Sequence, residues 1–332
     1  MPSLKNVTPI LRASKTMTRK NPEDVTRITS IGGGPIGGGW AAHFLGRGYD
    51  VTVYLHDSAE EQTFRLLIDT AWKCIEAIGL GEGASKDRLH ITTDLADAVA
   101  GAEFVQESVP EDLNLKQSLY KQLGDLVPED VVIASSTSGL PMSDIQATCP
   151  SPGRTVTGHP FNPPYILPLV EVVGGERTDP DTVTWVMDFY KHSGKAPLAL
   201  TREIPGFIAT RLQEAIWREA LHMVAEGEAT VEQIDQAVVN GPGPRWAFMG
   251  PCMTFHVGGG EGGMAYNLDQ FGPALKLPWT RLIAPELTKE LRDDMVEGCE
   301  DMAGEKTYEH LLEERDAGLV AIAKALKQVG LG

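Results

Sequence analysis

The residues best suited to chemistry lie in GHPFNPPYILPLVEVVGG, residues 158–175, where His159 and Glu171 stand twelve positions apart. Glu171 belongs to the run LPLVEVV, which reads as an apolar strand, and an unpaired carboxylate there is costly. It needs a partner, and His159 is the nearest plausible one in the sequence. The NPP between them eases a reversal of chain direction. A carboxylate on one ring nitrogen sets the tautomer and stabilises imidazolium, and an unperturbed pKa of ~6.5 suits a base near neutral pH. Ser138 follows the strand-like VVIASST (131–137), at the carboxyl end, where open α/β sheets bind ligands. It can bind the same oxygen as His159. This set suits the oxidation of a secondary alcohol, in which a proton leaves oxygen toward a base and a hydride leaves carbon toward an acceptor.

The acceptor's site is written near the start of the chain. Gly32-Gly33-Gly34-Pro35-Ile36-Gly37 fits GxGxxG, after an apolar strand pattern and before a helical one. Gly32 permits the tight turn, Gly34 lets the backbone approach a pyrophosphate, and Gly37 lets the helix pack closely on the strand. The helix N-terminus, with Pro35 and Ile36 at its start, offers N–H groups and a favourable dipole. An acidic residue is expected ~20 residues beyond the glycines to bind the ribose hydroxyls. The second strand pattern, VTVYL (51–55), ends instead in Leu55, followed by His56 and Asp57. Asp57 either takes that role or caps the next helix. No arginine stands at the strand end to favour a 2′-phosphate, so NAD is expected rather than NADP.

These residues need a sheet to position them. A β–Gly turn–α–β unit opens a doubly wound, mostly parallel sheet of the Rossmann type. The strand patterns are ITSI running into the glycines from residue 28, then 51–55, 102–108, 131–137, 155–159 and 167–173. A helix is expected over 58–80, where Phe64, Leu67, Ile68, Trp72, Ile75 and Ile78 recur at helical spacing. After REIPGF (202–207) long helical patterns take over, at 206–226, 230–240, 286–302 and 307–328, with Pro205 placed as a first-turn proline. GPGPRWAFMGP (241–251) and GGGEGGM (258–264) read as loops. The domains expected are thus a basic, flexible tail over 1–27, a dinucleotide-binding domain over 28–203 and an all-helical domain over 204–332.

Composition narrows the partners. The 332-residue chain carries a net charge of −17, which disfavours nucleic acid and anionic membrane, and no stretch approaches the ~20 apolar residues of a membrane span. Cys74, Cys149, Cys252 and Cys299 lack metal-ligand spacing, so no metal is expected, and reduced thiols in a cytoplasmic protein are. The first residues lack the apolar core of a secretory signal.

From residue 28 onward the chain resembles the 3-hydroxyacyl-CoA dehydrogenase superfamily. IGGGPIGGGW, EFVQESVPEDLNLK, ASSTSGL, GHPFNPPYILPLVEVVGG and IPGFIATRL occur in that order. The resemblance implies a Rossmann-like N-terminal domain, and a C-terminal helical domain that makes a homodimer contact. It implies His159 as the catalytic histidine, Glu171 as the group that orients it and Ser138 as the donor to the substrate oxygen. It implies Glu107 and Lys116 near the nicotinamide half of the coenzyme, and Asn162 as another coenzyme-side residue. Where the family commonly has asparagine after PGF, this chain has Thr210, and Pro160 replaces an aromatic that often follows the histidine.

IWREAL, RWAFMGP, GGGEGGM, QFGPALKLPWT and EERDAGLVAIAKALK are similar to the L-carnitine 3-dehydrogenase branch, with some features shared by the lambda-crystallin and L-gulonate 3-dehydrogenase branch. The substrate expected is therefore the small molecule L-carnitine. Its trimethylammonium suits aromatic faces and carboxylates. Trp246, Phe248, Phe255, Tyr266, Phe271 and Trp279 cluster over 246–279 with Glu261 and Asp269, as substrate contacts or as core and dimer interface. Arg245 or Arg211 could hold the carboxylate. The alternatives are L-gulonate or a short 3-hydroxyacyl-CoA as substrate, or a crystallin-like protein that binds NAD without turnover. A CoA substrate would want a basic patch, which residues 58–90 do not supply.

Overall fold

A computed structural model describes residues 19–247, 249–271, 280, 286, 288–291, 305–328 and 330. Eight strands form one sheet: β1 Arg27–Ile31, β2 Asp50–Tyr54, β3 Leu89–Thr92, β4 Phe104–Glu107, β5 Val132–Ser135, β6 Thr155–Pro160, β7 Leu169–Val173 and β8 Ala196–Ala199. Their order is β3-β2-β1-β4-β5-β6-β7-β8. All pairs are parallel except β6 with β7, so the sheet is the doubly wound, mostly parallel one that the glycine motif implies. The sense of the chain diverges on either side of β1, which opens a crevice at the carboxyl ends of β1 and β4.

Helices cover both faces. On one, α1 (Pro35–Gly46), α2 (Glu61–Ile78) and the helix over Pro180–His192 bury Trp40, Phe44, Phe64, Ile68 and Phe189 against Ile28, Val53 and Phe104. On the other, α3 (Leu95–Val99), α4 (Leu113–Leu126) and α5 (Met142–Ile145) bury Val99, Leu119, Leu123 and Ile145 against Ile31, Val105 and Ile133. Each such side chain stabilises the fold by ~1.5–3 kcal/mol relative to exposure. The helix over Pro180–His192 is α6 in chain order. Beyond β8 come α7 (Ala209–Ala225), α8 (Val231–Asn240), α9 (Gly243–Trp246), α10 (Pro251–Gly258), α11 (Gly263–Phe271) and α12 (Tyr308–Gln328). Helix α12 returns to pack on α2, where the buried Asp316 accepts hydrogen bonds from Tyr165 Oη (2.8 Å) and Cys74 Sγ (3.4 Å).

Several local expectations change. Residues 19–27 are not a loose tail: Lys20 and Arg27 pair with Glu103, and Trp185 Nε1 donates to the Lys20 carbonyl. The rest of the expected tail, 1–18, lies outside the described residues. The two strands absent from the sequence reading, β3 and β8, are four-residue edges: the alternation of LHIT is too short to stand out, and APLA carries none. Pro205 is not a first-turn proline, because α7 begins at Ala209 after a turn over 205–208. The expected loops at 241–251 and 258–264 contain α9, the two end residues of α10, a short 3-10 turn at Gly260–Gly262 and the start of α11. Of the helix expected over 286–302, all but 286 and 288–291 lies outside the described residues.

Candidate active site

Strands β6 and β7 place the central pair. Their antiparallel register sets His159 directly opposite Glu171. The Nδ1 of His159 and Oε2 of Glu171 are 3.0 Å apart, and both side chains are buried. The reversal between them passes through Asn162-Pro163-Pro164 and leaves Asn162 exposed. The other Glu171 oxygen, Oε1, accepts the backbone N–H groups of Ile208 (2.8 Å) and Ala209 (2.9 Å). These are orphan donors at the start of α7, so one carboxylate orients the histidine and satisfies a helix end. Burial by itself would raise the Glu171 pKa, but the bonds from His159, Ala209 and Ile208 outweigh it and hold the group below its ordinary value. Phe207, buried with a φ of 49°, lies with its ring 5.3 Å from the imidazole, and the Phe161 ring meets the imidazole edge-on at 5.9 Å. A bulky residue in the left-handed region is strained, and here packing on the histidine holds it.

The glycine turn has the geometry of a phosphate cradle. Gly32 has a φ of 109°, and a Cβ there would come within 2.6 Å of the Ser108 carbonyl oxygen. A Cβ at Gly37 would collide with the carbonyl of Gly32. Gly34 caps α1, with Pro35 and Ile36 following, and a Cβ on it would meet nothing within 4 Å. The open space above Gly34, at a helix N-terminus, fits a pyrophosphate. Leu55 is buried beneath the turn, where a Cβ on Gly33 would meet it at 2.5 Å. Asp57 caps the turn after β2, accepting the Ala59 N–H at 2.9 Å, which is the second of the two roles open to it.

Ser138 is exposed, but not loose. Its N–H (3.0 Å) and hydroxyl (3.4 Å) bond Glu111 Oε1, which also accepts from Thr137 Oγ1 (2.7 Å) and the Gly139 N–H (3.0 Å). Burial raises the Glu111 pKa, but Thr137, the Lys116 charge and the two amides outweigh it and lower the group overall. Lys116 lies between this loop and the interior, 3.6 Å from Glu111 and 2.6 Å from Glu107. Glu107 has no exposed surface. Its oxygens are taken by Lys116, the Val109 N–H, Ser135 and Tyr120, so it supports the loop from below rather than facing a coenzyme. Lys116 is likewise buried. Glu111 is the functional candidate that the sequence reading missed. Its only signal is an acidic residue in the polar PED turn.

The expected substrate residues are not gathered on the pair. Thr210 lies in the first turn of α7, beside Ala209, and lines an open cleft of about 530 Å³ with Pro205, Arg211, Glu214 and Arg218. Arg245 and Trp246 on α9, Phe255 on α10 and Tyr266 on α11 are exposed. None takes part in the hydrogen bonds or ring contacts described for His159 and Glu171. Phe248, Trp279 and the side chain of Phe271 lie outside the described residues.

Comparison with known proteins decides the family. The domain described as "3-hydroxyacyl-CoA dehydrogenase, NAD binding domain" matches residues 27–204, and "3-hydroxyacyl-CoA dehydrogenase, C-terminal domain" matches residues 206–313. The chain belongs to the 3-hydroxyacyl-CoA dehydrogenase family. Among family members it is 56% identical to L-carnitine dehydrogenase of Nocardiopsis dassonvillei, covering 94% of each chain. It is 56% identical to L-carnitine dehydrogenase of Streptomyces coelicolor, covering 93% of this chain and 98% of that one. Among solved structures, an NAD+-dependent 5-formyl-3-hydroxy-2-methylpyridine 4-carboxylic acid 5-dehydrogenase superposes with a TM-score of 0.77 at 30% identity, over 91% of this chain and 99% of that one. As a family member this chain is an NAD-dependent 3-hydroxy dehydrogenase, and its cradle at Gly34 fits that coenzyme.

Proposed function

We propose that this chain oxidises the 3-hydroxyl of L-carnitine to 3-dehydrocarnitine. The observation that carries the chemistry is the bond between His159 Nδ1 and Glu171, which leaves Nε2 as the nitrogen for the substrate. NAD, when bound, supplies the hydride acceptor. His159 takes the hydroxyl proton at Nε2, and Glu171 stabilises the imidazolium that results. Ser138, whose backbone N–H is held by Glu111, turns its hydroxyl proton from the long 3.4 Å bond to Glu111 toward the same substrate oxygen. The relatives named L-carnitine dehydrogenase support the substrate. So does the cleft at Thr210, which favours Arg211 over Arg245 as the holder of the carboxylate, because Arg211 shares its helix with the amides that bind Glu171. The pairing of Arg65 with Glu61 (2.8 Å) leaves NAD preferred over NADP.

This reading includes a homodimer through the C-terminal helices and a cytoplasmic location. Exposed apolar side chains on α7 support the first. The free thiols of Cys149 and Cys252 support the second; among the described residues no helix is long and apolar enough to cross a membrane. The test is NADH formation from L-carnitine, D-carnitine, L-gulonate and 3-hydroxybutyryl-CoA, each with NAD and with NADP. L-Carnitine with NAD is expected to react fastest. Turnover of another substrate without turnover of L-carnitine would overturn the assignment, and turnover of none would favour a coenzyme-binding protein.

A further inference from the structure

Lys195 is a buried cation outside the proton chemistry. It follows Gly194 at the end of α6, immediately before β8, and is 7% exposed. Its ammonium donates to the carbonyl oxygens of Pro164 and Leu167, the latter at 3.1 Å, and lies 4.9 Å from the centre of the Trp40 ring. Both carbonyls belong to the reversal between His159 and Glu171. Trp40 belongs to α1, the helix that opens at the coenzyme cradle. Helix and reversal also touch directly, since a Cβ on Gly39 would come within 2.7 Å of Pro164.

The sequence explains why the reversal needs an outside donor. Pro163, Pro164 and Pro168 contribute carbonyls but no N–H groups. The local bonds are few: Ile166 and Leu167 both donate to the Pro163 carbonyl, and Ala196 donates to Pro168. The charged and titratable groups facing the ammonium come from α1, as Arg47 and His43, while the reversal offers carbonyls. Burial, with repulsion from Arg47 added, pulls the Lys195 pKa down to about 7. An amine kept there at that cost makes two carbonyl bonds that an apolar side chain of the same length cannot.

We propose that Lys195 is a positioning residue that fastens the proline-rich reversal to the coenzyme helix, and so fixes the proton acceptor relative to the hydride acceptor. The proposal rests on His159 being the base.

The test compares Lys195→Met and Lys195→Gln with the parent protein in single-turnover NADH formation at saturating NAD, well below the thermal midpoint. Lys195→Met is expected to slow the step about 10- to 100-fold, the scale of a small misplacement of reacting groups. The KM for substrate and the Kd for NAD should stay close to the parent values. Lys195→Gln keeps N–H donors and should recover part of the rate without reaching the parent's. A folded Lys195→Met with the parent's single-turnover rate overturns the proposal, even if its melting temperature falls, because Lys195 would then serve stability alone. Should Lys195→Met not fold, Lys195→Ala, which also removes the donors, is read in its place, and a parent-like rate there overturns the proposal in the same way. If the parent leaves L-carnitine untouched but oxidises another substrate of the panel, the substrate assignment fails by itself, and the tether is read on that substrate.

Discussion

At the scale of single residues, the oxidation turns on which nitrogen of His159 is committed and which is left over. His159→Ala is expected to lower kcat by about 10²–10⁴-fold, the usual worth of a positioned base, with NAD binding retained in a fluorescence titration. Glu171→Gln is a sharper test. Its amide carbonyl can still accept from Ile208 and Ala209, but its NH2 then faces Nδ1 and selects the wrong tautomer. It should keep the melting temperature better than Glu171→Ala while losing kcat comparably to His159→Ala; full activity would mean the carboxylate does no orienting. The pair was legible in the sequence because a glutamate in an apolar strand has few physical options. Glu111 was not legible, since an acidic residue in a polar turn is unremarkable until the loop over Thr137–Gly139 folds onto it. Glu107 shows the complementary limit: the sequence placed it in a functional motif but could not tell that all its acceptors point into the core.

At the scale of elements, α1 carries two demands that can be separated. Gly37→Ala drives a Cβ into the carbonyl of Gly32, whereas Gly34→Ala points a methyl into open space. Thermal melting should therefore show Gly37→Ala destabilised and Gly34→Ala near the parent value, while coenzyme titration should show affinity lost in Gly34→Ala as well. Unchanged NAD affinity in Gly34→Ala would place the pyrophosphate elsewhere. The same helix buries His43, whose pKa is pushed well below 6.5 by burial, reinforced by Lys195 and Arg47. The unfolded chain binds that proton below pH ~6.5 while the folded chain does not, so this group lowers stability by up to about 1.4 kcal/mol per pH unit as pH falls below that value. In urea denaturation between neutral and mildly acid pH, His43→Phe should remove that part of the slope. Elements were readable where β-branched and helical patterns were strong, as in β1, β2 and α2. The start of α7 was not, because a carboxylate from β7, thirty-seven residues earlier, sets it rather than Pro205.

At the scale of the whole molecule, the sheet and its helices bury a core, while the described helices beyond β8 leave large apolar side chains exposed. Among the described residues of α7, only Ala220 is buried, while Leu212 (53%), Ile216 (44%) and Trp217 (48%) are exposed on a helix with a clear apolar side. Val239 on α8, and Met253, Phe255 and Val257 on α10, are also exposed. An exposed apolar side on a helix suits a subunit interface, the role proposed for α7. Charge opposes association, because each copy carries −17. Apolar burial is little affected by salt, whereas repulsion between exposed charges is screened over ~10 Å at 0.1 M. The proposed dimer is therefore expected to tighten as ionic strength rises, the reverse of an interface held by ion pairs. Sedimentation equilibrium across a salt series checks the sign: a monomer at every concentration excludes the homodimer, and a dimer that loosens with salt excludes an apolar one. In the proposed dimer, Leu212→Glu together with Trp217→Glu should shift the equilibrium toward monomer while the protein still titrates with coenzyme, because both substitutions lie beyond residues 27–204, which the NAD binding domain matches.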